Sequence, residues 1–409
     1  MLAIRAAKLF DGIGPELVER PVVLAEGGRV VAVHPGGSVP AGAELLDLGD
    51  VTLLPGFVDT HVHLAFDASE DAVGRLRRAG DEELLDRMRA AGRAALAVGV
   101  TTVRDLGDRG YLALRLREET AKDPTAGPTV LASGPPITTA RGHCWFLGGQ
   151  AEGVDAIRAA VRERAERGVD VVKVMVTGGD LTPGSDPFHV QYSHAELLAA
   201  VREAHRHGLP ATAHAHSAAG IADAVAAGFD MVEHCFFVTE ITDESDETDT
   251  GVDYDRRILD DMARLGVVAS LTLGALPGGP PPPPRIARRI PGLVAGLAAM
   301  REAGVGVVCG SDSGIFPVKA HGSHPYSVVA MAETGFGPLE ALRAATSAAA
   351  RACGVACRKG CIAPGFDADV VAVAGDPLAD ITAVHAVTAV LREGVRVDPD
   401  KPQQGPAGP

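Results

Sequence analysis

Aromatic side chains are scarce in this sequence. Its 409 residues include 11 Phe, 4 Tyr and a single Trp, although 46% of all residues are hydrophobic. A core built from such a chain must be filled by Ala, Val, Leu and close Gly contacts rather than by large rings. The length exceeds that of a usual single domain, but an α/β barrel with a small appendage reaches it.

Basic residues are outnumbered, and long apolar runs are missing. The 38 Lys and Arg against 53 Asp and Glu give a formal net charge of −15, whereas a nucleic-acid partner requires a clustered basic face. No apolar run approaches the roughly 18 residues of a membrane helix. The N-terminus meets a charge at Arg5 and lacks the longer apolar core of a signal peptide. We therefore expect neither a nucleic-acid nor a membrane partner.

Cysteine is too sparse for a disulfide framework. The six cysteines include no Cys-x-x-Cys pair, which is typical of reduced thiols in the cytoplasm. Cys353, Cys357 and Cys361 are spaced four residues apart, but Gly354 and Gly360 argue against one helix face that would hold a metal. We expect a cytoplasmic protein.

Both ends of the chain are rich in short β-type runs. Residues 1–55 alternate such runs with Gly- and Pro-containing turns, and 369–374 and 383–392 are again strand-like. Since the N-terminal meander is too short to bury a core alone, we predict one small β-sandwich domain formed by 1–55 plus 360–398. The polar, proline-rich end at 399–409 is expected to be a disordered tail.

The centre of the chain, 56–359, repeats a strand followed by an amphipathic helix, the signature of parallel βα units. Eight strands are predicted, at 57–64, 100–105, 129–133, 169–177, 210–216, 231–235, 266–273 and 305–311. Eight such units close into a (β/α)8 TIM barrel, so the predicted fold class is α/β with 56–359 as the catalytic domain. Reactive groups of barrels lie at the C-terminal ends of the strands.

Residue types that bind metals follow this rule. Two histidines at i and i+2 share one face of a strand and can point into one pocket. The candidates are His61 and His63 on the first strand, His214 and His216 on the fifth, His234 on the sixth and Asp312 on the eighth. This arrangement predicts a metal centre at the barrel mouth.

Lys173 lies inside the apolar fourth strand. A buried ammonium costs several kcal/mol unless it deprotonates or finds a partner. One interpretation is a lysine paired with a carboxylate. The other is a neutral amine that has taken up CO₂ as a carbamate, an anionic bridge between two metal ions.

The ordered set His-x-His, Lys, His, His, Asp resembles that of the amidohydrolase superfamily. The flanking stretches LLPGFVDTHVHL, VEHC, GSDSG and APGFDADVVAVAGDPL are also similar, so the resemblance covers nearly the whole chain. VVKVMVTGG followed by QYSHAELLAAVREAHRHGLPATAHAHS is most similar to the branch of prolidases and arginine carboxypeptidases, to which imidazolonepropionase-like proteins are also related. The resemblance implies hydrolysis of dipeptides or N-acyl amino acids.

The resemblance also implies a ligand set. It assigns His61, His63 and Asp312 to one divalent ion, His214 and His234 to a second, and carboxylated Lys173 to both as a bridge. The ions are expected to be Zn²⁺, which would lower the pKa of a shared water and polarise the substrate carbonyl.

Two residues are predicted to be catalytic. Asp312 would take the proton of the attacking water and pass it to the leaving nitrogen. His143, in the loop after the third strand, either donates to the substrate carbonyl and the developing oxyanion, as a histidine of this loop does in relatives, or faces water.

Further residues of the barrel mouth are expected to contact substrate: His143, His216, Arg141, Tyr192 and His321. Some relatives carry tyrosine where this chain has His216, so their substrates cannot be copied. Arg141 either meets a substrate carboxylate or is a solvated surface arginine. The acidic loop 239–255 either selects a cationic substrate or is simply solvated, and 277–284 is expected to be a stiff proline-rich flap.

The leading prediction is a metal-dependent amidohydrolase that cleaves an amide or peptide-like C–N bond of a small molecule and assembles as a homo-oligomer. The alternative is a mononuclear cyclic-amide hydrolase of the imidazolonepropionase type, in which Lys173 is merely structural. A non-catalytic barrel scaffold is a remote alternative, because such chains usually lack the ligands that are present here.

Overall fold

Strands from both chain ends share one sheet in the computed structural model, which describes residues 1–242, 249–279 and 281–397. The first seven strands are β1 (Leu2–Arg5), β2 (Lys8–Leu9), β3 (Val18–Glu19), β4 (Val22–Glu26), β5 (Arg29–His34), β6 (Glu44–Asp47) and β7 (Thr52–Pro55). The next eight are β8 (Phe57–Val62), β9 (Val100–Asp105), β10 (Thr129–Ala132), β11 (Val172–Met175), β12 (Ala211–Ser217), β13 (Met231–Val238), β14 (Val268–Leu271) and β15 (Val307–Cys309). The last three are β16 (Val370–Val373), β17 (Val387–Arg392) and β18 (Val395–Val397).

The outer strands form two sheets, in the orders β5-β4-β1-β6 and β18-β17-β16-β7-β2-β3. In the second sheet the C-terminal strand β16 pairs antiparallel with β7, with Val371 opposite Leu54. A cluster of buried aliphatic side chains that includes Ile4, Leu53 and Leu391 fills the space between the sheets. The domain limits at 55 and 360 stay a prediction, and the predicted tail 399–409 lies outside the described residues.

The central strands are parallel and lie in two sheets, β10-β9-β8 and β11-β12-β13-β14-β15. Backbone hydrogen bonds join the sheets at both seams. On one side Ile137 N–H donates to Lys173 O at 2.8 Å, and on the other His63 N–H donates to Ser313 O at 3.0 Å. The predicted α/β fold with a (β/α)8 barrel and a small β-sandwich is confirmed.

Helices follow the barrel strands on the outside. They are α1 (Ala72–Arg78), α2 (Asp81–Ala97), α3 (Leu112–Lys122), α4 (Val154–Arg167), α5 (His194–Arg206), α6 (Ala218–Ala227), α7 (Arg256–Leu265), α8 (Pro284–Ala303), α9 (His324–Met331), α10 (Gly337–Ala344) and α11 (Ser347–Ala352). Ser193 caps α5 in a capping box with Glu196. α4 ends at Gly168 with φ 78°, a left-handed cap that turns the chain back towards β11. None of the helices in the described ranges combines the length and the apolar composition of a membrane-spanning segment.

The two loops singled out from the sequence are described only in part. Residues 243–248 of the acidic loop lie outside the described ranges, and so does residue 280 of the proline-rich stretch. At the described edges of the acidic loop, Arg288 Nε donates to Asp249 O at 2.7 Å and Arg289 donates to Thr239 O at 3.2 Å. The second turn of α8 therefore binds the backbone of this loop.

Candidate metal centre

The side chains proposed as ligands meet at one end of the barrel. They come from five places: His61 and His63 from β8 and the residue just after it, Lys173 from β11, His214 and His216 from β12, His234 from β13 and Asp312 from the segment after β15. Each of them is buried except His216, which is half-buried. Because parallel barrels carry their reactive groups at the C-terminal ends of the strands, residues from opposite ends of the barrel sequence, such as His61 and Asp312, reach one pocket.

His61, His63 and Asp312 form the first cluster. The Nε2 atoms of His61 and His63 are 3.2 Å apart, and Asp312 Oδ1 lies 3.4 Å and 3.5 Å from them. Ligand atoms about 2.0–2.1 Å from a tetrahedral ion are separated by roughly 3.3 Å. The three donors are therefore already spaced as ligands of one divalent ion, and their chemistry suits it.

His214 and His234 form the core of a second cluster, in which His214 Nδ1 and His234 Nε2 are 3.1 Å apart. The other ring nitrogen of each histidine is hydrogen-bonded within the protein. His214 Nε2 bonds Gly178 O at 3.2 Å, and His234 Nδ1 bonds Thr272 Oγ1 at 3.0 Å. A carbonyl only accepts, so His214 carries its proton on Nε2 and turns a lone pair towards His234. His216 belongs to this group as well, since one ligand atom from each of the three lies within 4.8 Å of the others.

Burial keeps four of these imidazoles neutral. It lowers the pKa of His63, His214 and His234 well below the usual value, and it lowers that of His216 to about 4. A neutral imidazole offers the lone pair that a metal ion needs, whereas an imidazolium offers none. At pH 7 these four imidazoles are therefore in a state that can receive cations.

The Lys173 side chain is 1% exposed by residue, and its Nζ has no hydrogen-bond partner among the described residues. Burial lowers the pKa of Lys173 to about 8, against an opposing effect of Glu233. A carboxylate paired with Lys173, which was one of the two interpretations, is not found in the described structure. A buried amine that is partly neutral and has no hydrogen-bond partner, near histidines of both clusters, fits a lysine that is covalently modified before the metal site is complete.

Backbone strain accompanies the site. Asp312 has φ 57° and His234 φ 67°, values that non-glycine residues rarely adopt. On β13 the pairing with β12 runs from Ala215 opposite His234 to Ser217 opposite Val238, so β13 bulges just after His234. Such bulges re-aim side chains next to active sites, and here the bulge turns the His234 ring towards His214.

Two charged residues in the barrel lumen, Arg104 and Glu233, were missed by the sequence analysis. Glu233 accepts from Arg104 at 2.8 Å, from Thr212 Oγ1 at 2.5 Å and from His61 Nδ1 at 2.9 Å. Because a carboxylate only accepts, His61 carries its proton on Nδ1 and presents Nε2 to the first cluster. The sequence did carry a signal for these two residues, because Arg104 lies within the buried strand VTTVRD and Glu233 within the buried strand MVEHCFFV.

The charge state of this network follows from its partners. Burial alone would raise the pKa of Glu233, but Arg104 and His61 bring it well below the usual value. Arg104 also donates to Thr60 O at 2.8 Å, which ties the pair to β8. The ion pair therefore positions His61 in two ways: Glu233 binds its ring, and Arg104 binds the backbone carbonyl of the preceding residue, Thr60.

His143 lies beside the second cluster, with its ring centroid 4.5 Å from that of His214. Burial lowers its pKa to about 3, and its Nδ1 has no hydrogen-bond partner in the part of the chain that is described. A Cβ at Gly179 would lie only 2.6 Å from the His143 ring, so the glycine permits this approach. The structure thus places His143 at the pocket, ready to meet a ligand atom.

The remaining predicted substrate contacts are spread around the mouth. Arg141 is exposed and lines a cavity of about 480 Å³ together with Trp145, Phe146 and Phe316. His321 bonds Phe66 O through Nε2 at 2.8 Å. Tyr192 is buried, and its hydroxyl donates to Ala151 O at 2.9 Å, so that group is used inside the fold. Their roles towards substrate stay predictions.

The chain is similar to known metal-dependent hydrolases over most of its length. The model of the Amidohydrolase family matches residues 52–397. The chain is 28% identical to ochratoxinase from Aspergillus niger over 393 residues, which covers 84% of this chain and 75% of that protein. It is also 34% identical to an imidazolonepropionase from Salinispora tropica, but over only 112 residues, 22% of this chain and 29% of that protein.

Solved structures align over almost the full length. A Xaa-Pro dipeptidase with methionine bound in its active site superposes with a TM-score of 0.82 at 27% identity, covering 97% of this chain and 99% of that one. A prolidase in complex with N-methylphosphonate-L-proline gives a TM-score of 0.83 at 28% identity with the same coverage. The similarity thus extends through the barrel and both terminal sheets.

Proposed function

The chain belongs to the amidohydrolase family, and on this basis we propose that it hydrolyses an amide or peptide-like bond in a small dipeptide or N-acyl amino acid. The family and the class of hydrolase acting on C–N bonds, both predicted from the sequence, are confirmed by the comparisons. The substrate type goes further, and it is supported by the similarity to a Xaa-Pro dipeptidase and to ochratoxinase.

One observation carries the proposal: beside two clusters of metal-binding side chains there is a buried lysine, Lys173, whose charge affects a histidine of each cluster and whose Nζ has no hydrogen-bond partner in the described structure. We assign His61, His63 and Asp312 to one divalent ion, His214 and His234 to another, and carboxylated Lys173 to both. Bound zinc would supply a Lewis acid and an activated water at neutral pH.

Asp312 is assigned the proton transfers. Its Oδ atoms would take a proton from the attacking water and deliver it to the nitrogen that leaves as the C–N bond breaks. Burial raises its pKa, which makes this carboxylate a stronger base than an exposed aspartate.

His143 is assigned to the carbonyl oxygen of the substrate. A neutral imidazole donates one hydrogen bond without adding a charge, and the effect is greatest on the oxygen that becomes negative during the reaction. The unpartnered Nδ1 and the position beside His214 support this role.

Lys173 is assigned the carbamate. Its neutral amine would attack CO₂, form an N–C bond and release one proton, so the product carries one negative charge. Burial favours this neutral amine by lowering the pKa of Lys173 to about 8.

The test is a screen of zinc-loaded protein against dipeptides and N-acyl amino acids, with release of the amine as the readout. Asp312→Asn is the matched control, because it preserves the shape of the side chain but not its basicity. Turnover by wild type that the variant lacks is the expected outcome. If neither protein cleaves any member of the library, the substrate class is wrong.

A mononuclear cyclic-amide hydrolase is the second candidate, since part of the chain matches imidazolonepropionase. One metal ion per chain, with full activity in Lys173→Ala, would favour it. The two separate clusters favour the binuclear enzyme instead.

We further propose zinc as the native metal, a cytoplasmic location and assembly as a homo-oligomer. The imidazole-rich ligand set supports zinc. The six cysteines, all free thiols of which five are buried, support a reducing compartment. Elemental analysis and light scattering of the purified protein test the first and the last.

A further inference from the structure

Lys319 belongs to a short 3₁₀ turn, Pro317–Lys319, beyond the end of β15. Its Nζ donates to two backbone carbonyls, Thr272 O at 2.8 Å and Ser311 O at 3.2 Å. Thr272 directly follows β14, and Ser311 lies two residues after β15. One side chain therefore joins the ends of two neighbouring barrel strands, at the rim that carries the proposed ligands.

The backbone pairing of these two strands ends just before this point. The register of β14 with β15 runs to Leu271 opposite Cys309, and Gly310 N–H then donates to Leu271 O at 2.9 Å. Beyond that bond the Lys319 ammonium connects the two strand ends, since each of its hydrogen bonds goes to the carbonyl of a different strand end. An ammonium has three donors and can bind both carbonyls at once.

The turn that carries Lys319 is itself fixed to the loops after both strands. Leu276 N–H donates to Val318 O at 2.8 Å, and Gly314 N–H donates to Lys319 O at 2.7 Å. Because the main chain is held in this way, less conformational freedom is lost when the ammonium is placed between the two carbonyls.

The bond to Ser311 O acts directly on Asp312. The Ser311 carbonyl and the Asp312 N–H belong to one planar peptide group. Lys319 binds the carbonyl, and the N–H donates to His61 O at 2.8 Å, so both edges of this group are held. Asp312 has φ 57°, a conformation that persists only where the surroundings impose it. Fixing the peptide plane therefore helps to keep the Asp312 carboxylate beside His61 and His63.

The bond to Thr272 O acts on the second cluster. Thr272 is buried, and its Oγ1 bonds His234 Nδ1 at 3.0 Å, which leaves Nε2 of this histidine for the pocket. Lys319 holds the backbone of Thr272 and thereby the position from which the hydroxyl meets the imidazole. One ammonium thus supports a proposed ligand of each ion.

We propose that Lys319 is a positioning residue that supports both metal ions. It holds Asp312 for one ion and, through Thr272, His234 for the other. The inference rests on the binuclear centre proposed above. The competing interpretation is purely electrostatic: the carboxylates of Asp312 and Asp59 attract the ammonium, and the ammonium repels divalent ions. Loss of the lysine would then strengthen metal binding, so the two interpretations predict changes of opposite sign.

The experiment measures metal binding. Metal-free wild type, Lys319→Met, Thr272→Val and Lys8→Met are titrated with Zn²⁺ in competition with a chromophoric chelator. Methionine keeps much of the apolar stem of lysine but has no ammonium. Valine at 272 removes the hydroxyl and keeps the carbonyl that Lys319 binds. Lys8 pairs with Asp376 at 3.0 Å in the terminal sheets, so the same substitution there controls for the loss of a lysine charge.

We expect Lys319→Met to weaken both ions by about 10–100-fold, the range typical of groups that orient a ligand. Thr272→Val should weaken only one ion, since it breaks the contact with His234 alone. Lys8→Met should keep wild-type affinity for both ions. The Co²⁺-loaded Lys319→Met protein should show a changed visible spectrum, because the ligand geometry changes. Lys319→Gln, a shorter polar replacement, should also weaken both ions and guards against a packing defect.

Unchanged or stronger binding of both ions in Lys319→Met and Lys319→Gln would overturn the proposal, and so would a loss confined to one ion. Failure of the proposed function is a separate result. In that case wild type binds two ions, Lys319→Met binds both of them more weakly, and no amide of the library is cleaved by either protein.

Discussion

Replacing Arg104 by methionine is expected to destabilise the barrel more than replacement of an exposed arginine. The Arg104–Glu233 pair is formed at 2.8 Å by side chains that are 3% and 0% exposed. Methionine keeps much of the apolar stem but leaves the Glu233 carboxylate buried without its cation. Removing one partner of such a pair costs about 3–5 kcal/mol, because the remaining charge is uncompensated.

That cost translates into a measurable change in Tm. The entropy of unfolding is about 2.1 cal/mol/K per residue, so for 409 residues a loss of about 3–5 kcal/mol lowers Tm by roughly 4–6 °C. The matched control is Arg115→Met, since Arg115 pairs with Glu82 at 2.9 Å with both side chains exposed. An exposed pair contributes about 0–1 kcal/mol, so the control should shift Tm by roughly 1 °C or less.

The assay is differential scanning calorimetry of the metal-free proteins at pH 7. The double variant Arg104→Met with Glu233→Gln removes both charges and should recover part of the loss, because no uncompensated ion remains in the lumen. The reasoning is refuted if Arg104→Met shifts Tm no more than Arg115→Met does. It is also refuted if the double variant is no more stable than Arg104→Met alone.

Three further outcomes are expected. Asp312→Asn should retain zinc by elemental analysis yet lose turnover by at least about 100-fold; substantial residual activity would exclude the proton transfer. After chelation, Zn²⁺ with bicarbonate should restore activity better than Zn²⁺ alone, because Lys173 needs CO₂, and equal recovery would argue against the carbamate. Burial, and the neighbouring Asp105 carboxylate, raise the pKa of Asp108, so the folded state binds its proton more tightly than the unfolded chain. The contribution of Asp108 to stability therefore falls as pH rises from about 4 through the raised pKa. In the metal-free protein, Asp108→Asn should make Tm depend less on pH over this pH range. Plots of Tm against pH that run parallel for wild type and variant would contradict this assignment.

Much of the barrel could be predicted from local patterns. The strand predicted at 100–105 matches β9, and the strand predicted at 129–133 differs from β10 only in its last residue. These elements are specified by their own residues, through buried apolar runs and turn glycines. Because reactive groups lie at the C-terminal ends of barrel strands, the sequence then predicted that the proposed ligands share one rim of the barrel, although it did not predict the distances between them.

The contacts across the lumen could not be predicted in the same way. Whether Arg104 meets Glu233 depends on the tilt of the strands and on which side chains of β9 and β13 point inward at the same height. A single sequence contains no such information. It shows only that a charged residue lies in an apolar strand, which is true of Lys173, Arg104 and Glu233 alike. In the structure Arg104 and Glu233 pair with each other, whereas Lys173 Nζ has no hydrogen-bond partner among the described residues.

The extension of β13 shows why local pattern fails at the site itself. The sequence predicts a strand that ends at residue 235, where a run of aromatic residues begins, but the strand continues to Val238 through three positions with positive φ, His234, Cys235 and Phe237. No propensity favours that backbone, so tertiary contacts must impose it, as is usual where function needs strain. The stacking of His216 on His234 follows from this bulge. The residue that the sequence assigned to substrate therefore lies among the imidazoles proposed to hold the second ion.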